Sequence, residues 1–260
     1  ATAIQYIPGE KVVYITDFIK KTIYIYSIDS ILRANSVRPM DSIRINASVV
    51  SQPLILDKKR FVDFRWNTSA TEPLPDYRSI GIYNFFDRSG KPTNYNGKFP
   101  VTFHKVLVSE LSDAFAGGLS LSDDNTKLLF NYYNADMIDL SDTGGNLIKR
   151  VQGPDGFEPL VETEYIGKNE KTFSKKDARF GYTAFPRMNK NRLFVLYNGT
   201  PAEKNEYHSN RLFQFDSTLT PQIAYILNKP ICAFDVDWNN RRIYGLTHLE
   251  KREILIFNFK

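Results

Sequence analysis

The sequence predicts an all-β chain, a β-propeller built of four-stranded antiparallel blades. Three observations lead there. Apolar and aromatic runs of strand length recur from one end to the other, as in Val12–Ile15, Thr22–Tyr26, Arg192–Tyr197 and Glu253–Phe257. Clusters of Asp, Asn, Gly and Pro bound these runs, and those residues close turns. The pattern of run and turn then repeats at about 55 residues, a little above the usual propeller blade. With 15 Tyr and 19 Phe, the aromatic share of 14% favours pleated, half-buried surface and so decides short apolar runs toward strand.

The first repeated element is an apolar-aromatic strand running into an Asp/Ser/Gly turn. Its copies are Ile23–Ser30, Ile82–Gly90, Met137–Gly144 and Leu212–Ser217, with Ile254–Phe259 as a last copy that stops at the chain end. The second is a strand, a polar turn and a strand with a basic opening. It occurs as Leu119–Phe130, Thr183–Phe194 and Phe234–Tyr244. Asp and Asn in such turns bond to their own backbone and tolerate left-handed geometry. Each unit therefore reads as two hairpins, or four antiparallel strands, over 2–46, 49–98, 115–152, 180–228 and 231–259 within one domain spanning 1–260.

The last unit has three strands. Either Ala3–Ile7 closes it from the other end of the chain, or that strand belongs to the first unit and a segment upstream completes the ring. The stretches 153–171 and 199–210 read as polar linkers, and Ser109–Ala116 as the best helix candidate.

Composition narrows the function classes. The net charge is +5, but the basic residues are scattered in turns (Lys20–Lys21, Lys58–Arg60, Lys175–Lys176, Arg241–Arg242). A nucleic-acid surface would gather them on one face, so no nucleic-acid partner is expected. The single cysteine, Cys232, excludes a disulfide framework within the chain and reads as a small buried hydrophobe. No apolar run reaches the length of a membrane span, and the chain opens without a signal peptide, as a mature or trimmed product would.

The motifs resemble the TolB-like six-bladed propellers of Bacteroidetes, the BF3164-like lipoproteins. Three stretches carry the resemblance: Asn134–Leu140 followed by Ile148–Pro154; Arg192–Gly199 followed by Leu212–Asp216; and Ile231–Asp237 followed by Arg242–Leu246. It covers most of the chain and is clearest from Phe115 onward. It implies a six-bladed type with an early blade missing from this chain. It also implies export and a lipid anchor in a bacterial envelope, and it brings no catalytic residues. The lipoprotein signal and the early Gly-Pro-Gly-Glu-Phe-like turn of the family are not present here.

Chemistry is sparse in the sequence. His104, His208 and His248 are far apart and read as surface or turn residues; HExxH, CxxC and EF-hand patterns are absent. Neither Gly144–Gly145 nor Gly153–Phe157 opens a helix, so both read as turns and not phosphate cradles. The best candidates lie on first strands of units. Asp235 and Asp237 alternate with Phe234 and Val236 and share one face, while Tyr182 and Arg187 occupy the comparable place one unit earlier. These four are the candidate ligand-binding residues at a channel mouth; the competing readings are that one or both aspartates cap the turn into Trp238–Asn240 and that Arg187 makes a structural salt bridge. No catalytic residue, cofactor or metal is expected. The leading expectation is a non-enzymatic binding or scaffold propeller of a bacterial envelope, its partner an envelope protein or glycan. The competing one is a metal-assisted hydrolase or lactonase using Asp235 and Asp237 at the axis.

Overall fold

The structure is a computed structural model describing residues 3–7, 10–33, 38–46, 52–57, 59–64, 81–100, 112–159, 162–166, 170–174, 178–204, 207–249 and 251–259. It is all-β and of the propeller class. The chain forms two compact units, 1–109 and 110–260.

The first unit holds two four-stranded meanders. One contains β1 (Ala3–Ile7), β2 (Val12–Asp17), β3 (Thr22–Ser27) and β4 (Asp41–Arg44). The other contains β5 (Leu54–Ile55), β6 (Arg60–Phe64), β7 (Tyr83–Asp87) and β8 (Pro92–Asn96). Ile7, Tyr14, Ile23, Ile25, Ile43, Ile55, Phe61 and Phe86 form their common core, with Phe61 and Phe86 stacked at 4.9 Å. The Gln5 amide clamps the two first strands together. Its Nε2 donates to the Ile55 carbonyl at 3.0 Å, and its Oε1 accepts from the Ile55 N–H at 2.7 Å. At the turn after β7, Gly90 has φ +78°, and a Cβ there would lie 1.9 Å from the Arg44 carbonyl oxygen. Only glycine fits this close approach of two backbones.

The second unit holds a meander of β9 (Gly117–Leu121), β10 (Lys127–Tyr132), β11 (Met137–Asp142) and β12 (Leu147–Gln152). Another contains β15 (Arg187–Met188), β16 (Arg192–Tyr197), β17 (Ser209–Asp216) and β18 (Pro221–Ile231). A three-stranded sheet of β19 (Ala233–Asp237), β20 (Arg242–Thr247) and β21 (Glu253–Asn258) follows. These five sheets match the five repeat units read from the sequence, including the missing fourth strand of the last, except that β18 runs to Ile231, past the expected boundary at 228.

Burial follows a strand's place in its sheet. In β16 all of Leu193, Phe194, Val195, Leu196 and Tyr197 are fully buried, because apolar side chains cover both faces. Each such side chain contributes about 1.5–3 kcal/mol relative to exposure. Fourth strands are the opposite: β8 and β12 are largely exposed, and their sequences turn polar accordingly.

Several details depart from the sequence reading. The stretch 153–171 is not all linker, since β13 (Glu162–Ile166) pairs with β14 (Glu170–Ser174) as an antiparallel hairpin. In the first repeat copy, Asp29 lies in a short helix, α1 (Ile28–Arg33), and not in a tight turn. Of the Ser109–Ala116 helix only one turn, 112–114, falls among the described residues. Among the described residues the ladder partner of β1 is β2, and that of β21 is β20, so Ala3–Ile7 is the first strand of the first sheet.

Candidate functional site

Within the second unit, the sheet of β9–β12 is joined by side chain and backbone to the segment 184–188, which ends with β15. The Ser120 hydroxyl donates to the Pro186 carbonyl at 2.7 Å, the Asn131 amide to the Ala184 carbonyl at 2.7 Å, and the Asp123 N–H to the Met188 carbonyl at 3.0 Å. From this seam Arg187 reaches the next sheet, where its Nε bonds Asp235 Oδ1 at 2.9 Å. Two sequence candidates 48 residues apart thus meet as an ion pair, one-third exposed at Arg187 and about three-quarters exposed at Asp235.

Beside them lies an open depression of about 550 Å³, lined by Asp123, Asp124, Asn189, Lys190, Asp237 and Trp238 among others. Trp238 forms its firm wall. The indole stacks on Phe194 at 5.5 Å and meets Phe259 edge-on. Desolvation of the Asp123 carboxyl and then the nearby Asp235 charge raise its pKa, while Arg187 and, less strongly, the Trp238 indole act to lower it. The surface therefore offers carboxylates, amides, an ammonium and an aromatic wall, held by a buried aromatic cluster.

The other two candidates have occupied side chains. Asp237 caps the turn into β20: Oδ1 accepts from the Asn239 and Asn240 N–H groups at 3.1 and 3.0 Å, and Oδ2 from the Asn240 side chain at 2.7 Å. Those bonds hold its pKa below the ordinary value, the Asn240 side chain foremost. Tyr182 is fully buried and presents no surface to a ligand. Its hydroxyl lies 3.2 Å from Asp136 Oδ1, and burial followed by the Asp136 charge raises its pKa strongly. Asp136 is itself buried and accepts the Asp155 and Gly156 N–H groups at 2.7 and 2.8 Å. Asp155 continues the network to the Tyr197 hydroxyl and Arg179, each at 2.7 Å. The Gly153–Phe157 turn is thereby locked to the neighbouring sheet.

A further cluster escaped the sequence reading. His208 immediately precedes β17, Cys232 joins β18 to β19, and His248 immediately follows β20. Pairing of Ser209 with Ile231 and of Ala233 with Leu246 brings the three to one end of these sheets. Cys232 is half-buried and not the enclosed hydrophobe expected; its Sγ lies 3.2 Å from His248 Nδ1. The His208 and His248 rings are 4.4 Å apart. Burial and then His248 lower the His208 pKa, and burial raises that of Cys232. The clue available in the sequence was position: each residue stands one step outside a strand, and strand register turns that into proximity. His104 lies outside the described residues.

No protein-family model matches the chain, and no curated protein matches it. Its likeness to the TolB-like propellers accordingly rests on the three quoted stretches. Within them Asp136, Tyr197 and Phe234 serve blade packing.

Proposed function

We propose that this chain is a non-enzymatic binding propeller of a bacterial cell envelope, with a glycan as ligand at the depression beside Trp238. The observation that carries the reading is the composition of that surface: Asp123, Asn189, Lys190 and the Arg187–Asp235 pair around an indole wall. Glycan hydroxyls are donors and acceptors together, and neighbouring carboxylates and amides bond them in pairs. The volume suits one or two sugar rings, within the usual few hundred to about 1,000 Å³ of ligand sites. The resemblance to six-bladed, exported lipoproteins supports the envelope location. An envelope protein carrying such a glycan would be a partner of the same kind. A membrane would be met only through a lipid anchor.

The hydrolase or lactonase reading draws less support. Its two proposed metal ligands are engaged, Asp235 with Arg187 and Asp237 with the turn it caps.

Binding of purified envelope polysaccharide, followed by calorimetry, tests the proposal. Arg187→Ala and Asp235→Ala should weaken binding at least about tenfold. Their stability should hardly change, because exposed ion pairs contribute about 0–1 kcal/mol. No binding by the parent chain, or equal binding by both variants, would contradict it.

A further inference from the structure

We propose that His208, Cys232 and His248 form a binding site for a borderline-soft transition-metal ion, zinc being the ion that fits best. One sulfur and two imidazole nitrogens make the donor set, and all three ligand atoms lie within 4.8 Å of one another. In a tetrahedral zinc site, bonds of about 2.0–2.3 Å separate sulfur and nitrogen ligands by about 3.5 Å. The Cys232 Sγ to His248 Nδ1 distance of 3.2 Å is already of that size. The widest gap in the trio is within reach of a side-chain rotation, and His248 is exposed and has room to make one.

A second, independent observation points to a missing ligand. His208 Nε2 is buried with no hydrogen-bond partner among the described residues. Buried polar atoms are nearly always satisfied, and an ion is one of the ordinary explanations of an exception.

The backbone holds the trio in place before any ion arrives. The Cys232 N–H donates to the Leu246 carbonyl at 2.8 Å, which ties the start of β19 to the strand end that carries His248. The His208 carbonyl accepts the Asn198 side chain at 3.2 Å, and the adjacent Ser209 hydroxyl donates to the Tyr197 carbonyl. All three ligands thus sit on pinned strand ends, the arrangement that keeps a site close to its working geometry.

The donor set also selects the ion. Thiolate with imidazole suits zinc and copper, whereas calcium and magnesium prefer all-oxygen sites. Three protein ligands leave a fourth position open to water or to a donor from a bound molecule. Cys232 and Trp238 flank opposite ends of β19, so the ion would sit at the far end of that strand from the depression. The site does not depend on what the depression binds.

Cobalt(II) is the probe, because zinc is spectroscopically silent. Titration of the reduced full chain should give one equivalent of bound cobalt with a thiolate-to-metal charge-transfer band, and zinc should displace it. Zinc should raise the melting temperature, the rise growing with the logarithm of its excess over Kd, and chelator should reverse it. Cys232→Ser should abolish the band. His248→Ala, at an exposed position where the fold is not at stake, should weaken binding at least about tenfold. Absence of the band in the parent chain overturns the proposal, and so does binding of undiminished affinity in both variants.

Discussion

At the residue scale, polar side chains inside the sheets are tied into closed networks. Asp139, with a side chain only 2% exposed, receives the Tyr132 hydroxyl at 2.7 Å and both Nε and Nη2 of Arg150 at 2.7 and 2.6 Å. Burial works against the charge of Arg150, but Asp139 and Tyr132 outweigh it and raise its pKa. Removing the carboxylate would take from a largely buried guanidinium the two short bonds that balance its charge. Asp139→Ala should therefore cost about 3 kcal/mol, near the lower end for breaking a buried pair because Arg150 keeps some solvent. The urea midpoint at neutral pH measures it; a cost under about 1 kcal/mol would contradict the network. Gly153 makes a second case. A Cβ there would stand 1.9 Å from Asp136 Oδ1 and 2.7 Å from the Tyr182 hydroxyl. Gly153→Ala should break the lock between Asp136 and the Gly153–Phe157 turn, so amide exchange should quicken at Asp155 and Gly156, whose N–H groups it holds. Unchanged protection there would show that the turn is held by something else.

At the element scale, the same turn recurs between third and fourth strands. An aspartate ends the third strand and accepts the N–H groups two and four residues on. Asp87 takes Ser89 and Lys91 at 2.8 and 3.2 Å, Asp142 takes Gly144 and Asn146 at 2.9 Å each, and Asp216 takes Thr218 and Thr220 at 2.8 and 3.0 Å. The Ser89 hydroxyl leads in lowering the pKa of Asp87, and the Thr220 N–H leads for Asp216. At Asp142 burial pulls upward, but the turn donors, Asn146 foremost, prevail. A carboxyl whose folded pKa lies below 3.8 stabilises the fold fully above that value, and the contribution disappears as pH falls through the folded pKa. Asp123 and Asp136, with raised pKa values, act in the opposite sense. Denaturation midpoints should therefore fall as pH drops below about 3.8, and Asp142→Asn should reduce that fall. An identical acid profile in the variant would contradict the role of the turn.

These aspartate turns are also why so much of the fold was legible. The spacing of Asp87, Asp142 and Asp216 after apolar runs marks a local, backbone-level device, so the repeat units could be bounded from sequence alone. The hairpin β13–β14 was less visible because Glu162–Ser174 is charged and polar, with little apolar alternation to betray it. Of the candidate site, Arg187 and Asp235 were identifiable as polar residues on first strands. Tyr182 is enclosed because its burial depends on the neighbouring sheet, which periodicity does not report, and Asp237 takes the turn-capping alternative that the sequence also offered. The meeting of His208, Cys232 and His248 needed strand register, which periodicity alone does not supply.

At the scale of the whole molecule, the four four-stranded sheets and the three-stranded last sheet among the described residues follow one antiparallel plan. The cores of the sheets are filled by packing, and both the depression and the His–Cys–His cluster lie at turns and strand ends. The last sheet ends at β21, where Ile254 and Ile256 are 72% and 57% exposed and alternate with half-buried neighbours. The central claim is that the polar depression walled by Trp238 is the working surface of this propeller. The chain has two tryptophans, so a proton–nitrogen correlation spectrum carries two indole N–H signals, assignable with Trp238→Phe. Titration with envelope polysaccharide should shift the Trp238 indole signal. Saturable binding that leaves the Trp238 signal unmoved would put the ligand elsewhere and contradict the account.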